Sequence, residues 1–318
     1  MWMVWLIFKR LAELALQSVW LFVVPDGQLH LLAFDAVIAA SDQAAGGLPV
    51  AVVPSASVLA LLRTRGELAS GKPDRRLLAI GGVPYERMAG QGSTGAARSA
   101  SVITGFFDAA MPAKLSTLPR AEAEVRMAAN ILGPSSSVLV GDAATETALK
   151  SEDLGRYEVL HLAAHGFADQ KFPERAAIVL LSDLRAGEDG LLQPREIARY
   201  GLRARLVVLS ACETAVGPTI GQEGVLNVAR AFLVAGASSV MMTLWPVSDA
   251  PSVALMRQFY ESLARGNDVS ESLRVSKRAV VERFGPESSA TLAAFQIVGD
   301  GAQRIEKPRA ASPSVRAR

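Results

Sequence analysis

The sequence is poor in the residues that carry most metal, redox and disulfide chemistry. It holds one cysteine, Cys212, in 318 residues. That excludes an internal disulfide and any zinc site built from several thiolates. It holds three histidines, His30, His161 and His165. No uninterrupted apolar run approaches the ~20 residues that a membrane-spanning helix requires. The positive pair Lys9-Arg10 follows the first apolar stretch, Trp2 to Phe8, whereas a signal peptide carries its charges in front. The net charge of +2 gives no strong pull toward nucleic acid or a membrane surface. Repeats of solenoid period, a Walker motif and a G-x-S-x-G elbow are all missing. Neither cofactor nor metal is expected. The lone thiol fits a reducing, cytoplasmic setting.

What is present is apolar bulk, 50% of the chain, enough for one large α/β domain or two packed halves. A buried helix is expected at about residues 9–18, and the abrupt apolar start reads as a chain lacking an upstream region. Apolar runs at Val19–Val24 and Leu29–Phe34 flank Pro25-Asp26-Gly27-Gln28 and predict a hairpin. Strands are expected at Val50–Val53 and Leu77–Ile80, with a helix from Val58 to Arg65 capped by Ser55. Residues 81–118 are rich in Gly, Ser and Ala and read as a long loop. A helix to about Ile131, a strand from Ser137 to Val140 and a short helix after Thr145 follow. Beyond them strands at 157–163, 177–181, 205–210 and 239–244 alternate with helices at about 193–200, 225–235, 252–265 and 270–284. A short apolar run, 295–298, closes the series. Such alternation implies a mainly parallel sheet with helices on both faces. Residues 302–318, with five Lys/Arg and two prolines, read as a disordered basic tail.

Two segments carry the chemistry. Val159-Leu160-His161-Leu162-Ala163-Ala164 leads into His165-Gly166, and Leu206-Val207-Val208-Leu209 leads through Ser210-Ala211 to Cys212. Buried strands of open α/β sheets present functional groups at their carboxyl edge. A thiol needs a nearby base to become a thiolate, and imidazole is the usual one. The pair therefore suggests a Cys-His nucleophilic site, weighed against a lone cysteine and a histidine that merely fill the core. His161 sits four residues before His165, about 13 Å away along a strand, and reads as structural. On a helix the two would form a metal pair, but their surroundings read as strand and nothing completes a ligand set. Gly90-Gln91-Gly92-Ser93-Thr94-Gly95 matches a dinucleotide fingerprint by spacing alone, without the strand and helix it needs, which leaves a nucleotide-binding flavodoxin-like domain the weakest reading. Trp245 reads as core or pocket wall. Asp249 reads as a helix cap, or as the acid of a pocket that selects a basic side chain.

In order and spacing, these residues resemble the CHAT domain, a caspase-like peptidase module often joined to TPR or HEAT repeats. The resemblance covers about residues 11–301. It runs through Val23-Val24-Pro25-Asp26-Gly27, Val53-Pro54-Ser55, His161 to Gly166, Glu188-Asp189-Gly190, Leu209 to Thr214, Gly221-Gln222-Glu223-Gly224, Leu244 to Asp249 and Phe259-Tyr260. Cys212 lies 47 residues after His165, similar to the ~50 residues of caspases. The resemblance implies a caspase-hemoglobinase fold of two similar halves within a domain at 1–301, an inactive one at about 11–118 and an active one at 119–301. It implies a cysteine endopeptidase with His165 as base, Cys212 as nucleophile, and the backbone N–H groups of Gly166 and Cys212 as the oxyanion hole. The segment from Trp245 to Asp249 looks like one in separases where an aspartate receives a P1 arginine, which makes Asp249 a specificity acid. The implied partners are a protein or peptide substrate and a regulatory protein or upstream repeat domain, with neither nucleic acid nor membrane. The sequence departs from the family at Glu287 to Phe295, where a His-Pro and aromatic-rich stretch is usual, and it carries no repeats. A non-catalytic signalling module on the same fold is the alternative.

Overall fold

The computed structural model describes residues 20–41, 48–68, 73–89, 115, 117–168, 176–210, 222–245, 247 and 250–305. The strands are β1 (Leu21–Val23), β2 (Val50–Val52), β3 (Arg75–Gly81), β4 (Ser136–Val140), β5 (Tyr157–Ala163), β6 (Gly166–Ala168), β7 (Ala176–Val179), β8 (Leu191–Leu192), β9 (Leu206–Leu209), β10 (Ser239–Thr243) and β11 (Phe295–Gly299). The helices are α1 (Phe34–Ser41), α2 (Ala56–Leu68), α3 (Glu86–Ala89), α4 (Ala121–Leu132), α5 (Glu146–Ser151), α6 (Pro194–Ile197), α7 (Gln222–Ala235), α8 (Ala250–Ala264), α9 (Val269–Phe284) and α10 (Ser289–Ala293).

Eight strands form one sheet in the order β1-β2-β11-β10-β9-β5-β3-β4. Every neighbouring pair is parallel except β10 with β11. The expected mainly parallel α/β sheet is therefore present. β3, which precedes residue 118, is hydrogen-bonded between β4 and β5, which follow it.

Side-chain alternation splits the central strands between two cores. Leu78, Ile80, Leu160, Leu162, Val207, Leu209, Val240 and Met242 face one core, which Phe232 of α7 also fills. Leu77, Ala79, Val159, Ala163, Leu206, Val208 and Met241 face the other, against α4, α8 and α9. All seven residues of β5 are buried, as a parallel strand covered on both faces requires. α4 follows its apolar spacing, burying Ala121, Val125, Ala128 and Leu132 and stopping at Gly133. α9 starts where the Asp268 carboxylate accepts the Glu271 N–H at 2.8 Å, and ends at Gly285. The Ser55 cap is present, its hydroxyl accepting the Val58 N–H at 3.1 Å.

The structure corrects four expectations. No hairpin forms at Pro25. Gly27 adopts φ +52° in a 3-10 turn, and α1 carries the chain over so that β1 pairs parallel with β2. The strand at 176–179 joins β6 and β8 in a separate antiparallel sheet instead of the main one. The helix expected at 193–200 is the single turn α6, capped by Gln193 and Glu196. Residues 302–305 pack rather than trail. Arg304 bridges to Asp268, the Val269 N–H donates to the Gln303 carbonyl at 2.9 Å, and Ile305 is buried. The expected amino-terminal helix, the Gly90–Gly95 segment and residues 306–318 lie outside the described residues.

The end of β3 sets where α4 sits. Gly82 adopts φ +61°, and a Cβ there would stand 2.8 Å from Cβ of Glu122. Only glycine satisfies both the backbone and the close approach. Gly82→Ala is expected to cost about 1–3 kcal/mol, read as a lower urea midpoint. An unaltered midpoint would show that this approach is not a constraint.

Candidate active site

Strands β5 and β9 are adjacent and parallel, with Leu162 opposite Leu209. The Ser210 N–H continues the ladder by donating to the Leu162 carbonyl at 3.0 Å. His165 lies three residues beyond Leu162, and Cys212 lies three beyond Leu209. The described backbone that precedes each of them, through Ala164 and Ser210, leaves neighbouring strands at the same sheet edge. Cys212 itself lies outside the described residues, as does Asp249.

His165 is 1% exposed. Its backbone N–H donates to the Tyr85 hydroxyl oxygen at 2.7 Å, and that hydroxyl donates to the Val179 carbonyl at 2.9 Å. The Val179 N–H returns to the His165 carbonyl at 2.7 Å. The Tyr85 ring lies 4.6 Å from the imidazole at 53°, and Phe167 lies 5.8 Å away at 22°. Burial pushes the Tyr85 phenol far above its ordinary range, so it stays neutral and serves as both donor and acceptor. Tyr85 therefore ties the turn after β5 to β7. Gly166 opens β6 opposite Ile178. Trp245 is half-buried at the end of β10 and packs on the core that holds Phe232.

His161 belongs to the other face of the sheet. Its Nδ1 lies 2.8 Å from the Tyr260 hydroxyl, and its Nε2 lies 3.1 Å from Oε1 of Glu124. β5 ends at Ala163, and the turn after it takes His165 to the opposite side of the sheet, so the two histidines do not share one centre. A cavity of about 240 Å³ opens on this face, at the carboxyl ends of β5, β9 and β10. Ala163, Ser210, Thr243, Ser252 and Glu124 line it.

Among the described residues, one set of carboxylates is close enough to share a cation, Glu146, Glu188 and Glu196. Lys150 Nζ already lies 2.8, 2.6 and 2.9 Å from them. Burial lifts the Glu146 carboxyl above its usual range, opposed by Lys150. The set is an internal ion-pair knot, and it explains Glu188 of the Glu188-Asp189-Gly190 motif.

Sequence reasoning passed over Tyr85 and Glu124. Tyr85 is the only tyrosine in the Gly-rich stretch 81–118, and that isolation was its signal. Glu124 looks like an ordinary acidic residue in a helix first turn. Tyr85→Phe keeps the ring but strands the His165 N–H and the Val179 carbonyl in a buried place. It is expected to lose about 1–3 kcal/mol in equilibrium unfolding. Stability equal to the parent would show that Tyr85 does not hold this turn.

Tetratricopeptide repeat protein 28 of Mus musculus is 28% identical over 213 residues, and that of Homo sapiens is 27% identical over the same length. Each match takes in 57% of this chain and 8% of the relative, so the chain spans a small part of those proteins. The Saccharomyces cerevisiae separase–securin complex gives a TM-score of 0.48 at 19% identity, covering 87% of this chain and 15% of that one. The Arg-specific cysteine proteinase gingipain R gives 0.45 at 12%, covering 82% and 56%. The family model of the CHAT domain matches residues 5–300, and the chain belongs to the CHAT domain family.

Proposed function

We propose that the chain is a cysteine endopeptidase working through a His165–Cys212 dyad. The observation that carries this reading is the shared register of β5 and β9, which brings the backbone before each residue to the same edge. His165 takes the proton from Sγ of Cys212 as Sγ attacks the carbonyl carbon of a peptide bond. The resulting oxyanion accepts hydrogen bonds from the N–H groups of Gly166 and Cys212. Collapse breaks the C–N bond, and the leaving amine takes the proton from His165. A thioester remains. Water then attacks it, giving its proton to His165; collapse breaks the C–S bond, the proton returns from His165 to Sγ of Cys212, and the carboxylate product leaves.

Asp249 receives a basic P1 side chain through charge-assisted hydrogen bonds, with Trp245 as a wall. The partners are a protein or peptide substrate and a regulatory protein or upstream repeat domain. The repeat-protein relatives support the last of these. No described helix is long and apolar enough to cross a membrane, and the proposed location is the cytoplasm. The near-complete burial of His165 favours a second reading in this state, a non-catalytic signalling module or a latent form of the enzyme.

An acyloxymethyl ketone carrying Arg at P1 tests the dyad on the parent, Cys212→Ser and His165→Ala. The parent should label at Cys212, with complete loss in Cys212→Ser and a fall of about 10²–10⁴-fold in His165→Ala. Labelling of the parent that survives in both variants rejects the dyad. Absence of labelling with Arg, Lys and neutral P1 probes alike favours the signalling module.

A further inference from the structure

The cavity at the carboxyl ends of β5, β9 and β10 is not a plain apolar gap. Glu124 stands in its wall with 16% of its side chain exposed, while His161 behind it is fully buried. Oε1 of Glu124 and Nε2 of His161 are both shut from solvent, and neither makes a well-aligned hydrogen bond among the described residues, although they lie 3.1 Å apart. Assigning the imidazole proton to Nε2, the nitrogen that faces the carboxylate, leaves Nδ1 to accept from the Tyr260 hydroxyl. Burial, with the Glu124 charge adding to it, raises the Tyr260 phenol well above its ordinary range, so it remains a neutral donor. The chain Tyr260–His161–Glu124 is thus a buried support aimed at one carboxylate on a cavity wall.

The rest of the lining suits a donor-rich cation. Ser210, Thr243 and Ser252 supply hydroxyls around the space. Arg120, the lining cation, is exposed, where solvent screens its charge more than that of the sheltered carboxylate. Leu118, Val247 and Met256 supply apolar wall for an alkyl stem.

We infer that this cavity is a subsite for the guanidinium or ammonium group of a polypeptide side chain, with Glu124 as the receiving carboxylate and His161 as its positioning residue. Its use as a substrate subsite rests on the peptidase reading above, whereas its cation binding does not. Glu124 is a second acid, separate from Asp249.

Benzamidine and its neutral analogue benzamide test the site without any chemistry. Titrations of the full chain, followed by backbone amide shifts at Ala163 and Thr243, should show benzamidine bound at least about tenfold more tightly. Glu124→Gln should bring the two affinities within about twofold, and His161→Phe, which removes the support but fills its volume, should weaken the preference. Equal binding by the parent, or a preference that persists in Glu124→Gln, overturns the inference. The parent measurement decides even if a variant fails to fold. Acyloxymethyl ketones with Arg or norleucine at P1 separate the two ideas. A benzamidine preference without labelling at Cys212 leaves the cation site standing and the peptidase reading fallen. Labelling without that preference does the reverse.

Discussion

The parallel pairing of β5 with β9 is the constraint on which the rest of the molecule depends. Both strands lie inside the sheet, with β3 beyond one and β10 beyond the other. Neither has a free edge, so neither can slip by one residue without turning its apolar set to the wrong core. The register Leu162–Leu209 is therefore held by two cores at once. The ladder carries that alignment one step past β9, to the Ser210 N–H. Polar residues begin just past the carboxyl ends of these two buried strands, at His165 and Ser210.

A second sheet and a helix then fix what the central strands leave loose. β6 starts directly after His165, and its pairing with β7 turns the chain back over the core. Tyr85 joins both sides of that turn through one hydroxyl. On the opposite face, Gly81 and Gly82 bring α4 into direct contact with the end of β3, with atoms of Ala121, Glu122 and Val125 only 2.8 to 3.1 Å from where a Cβ would sit. That close seat lets Glu124, on the first turn of α4, reach His161 in β5.

The parts legible in the sequence were those set by local pattern. β5 and β9 read as strands because they are mostly apolar runs that end at polar residues, and α9 reads as a helix because its periodic run stops at Gly285-Pro286. The CHAT resemblance and the fold class follow from such segments in order. What failed depended on partners distant in sequence. β1 and the turn after it look like half of a hairpin until β2 is available to pair with β1. β7 has the composition of a central strand, yet its neighbours are the short β6 and β8. Tyr85 and Glu124 each act across many residues, on His165 and His161, and no local spacing announces such contacts.

The two histidines show why pattern alone underdetermines chemistry. Four residues apart, they would share a face of a continuous strand, yet β5 ends at Ala163 and the turn after it carries His165 to the opposite side of the sheet from His161. His161 carries two polar groups into a fully buried place where an apolar residue of like volume would avoid desolvation. Tyr260 satisfies one ring nitrogen, and Glu124 approaches the other without full alignment. A purely structural network in a core gains by closing all its hydrogen bonds. This one ends at a carboxylate on a cavity wall. The carboxylate is the member of the network that reaches the cavity, where it can accept from an incoming donor group.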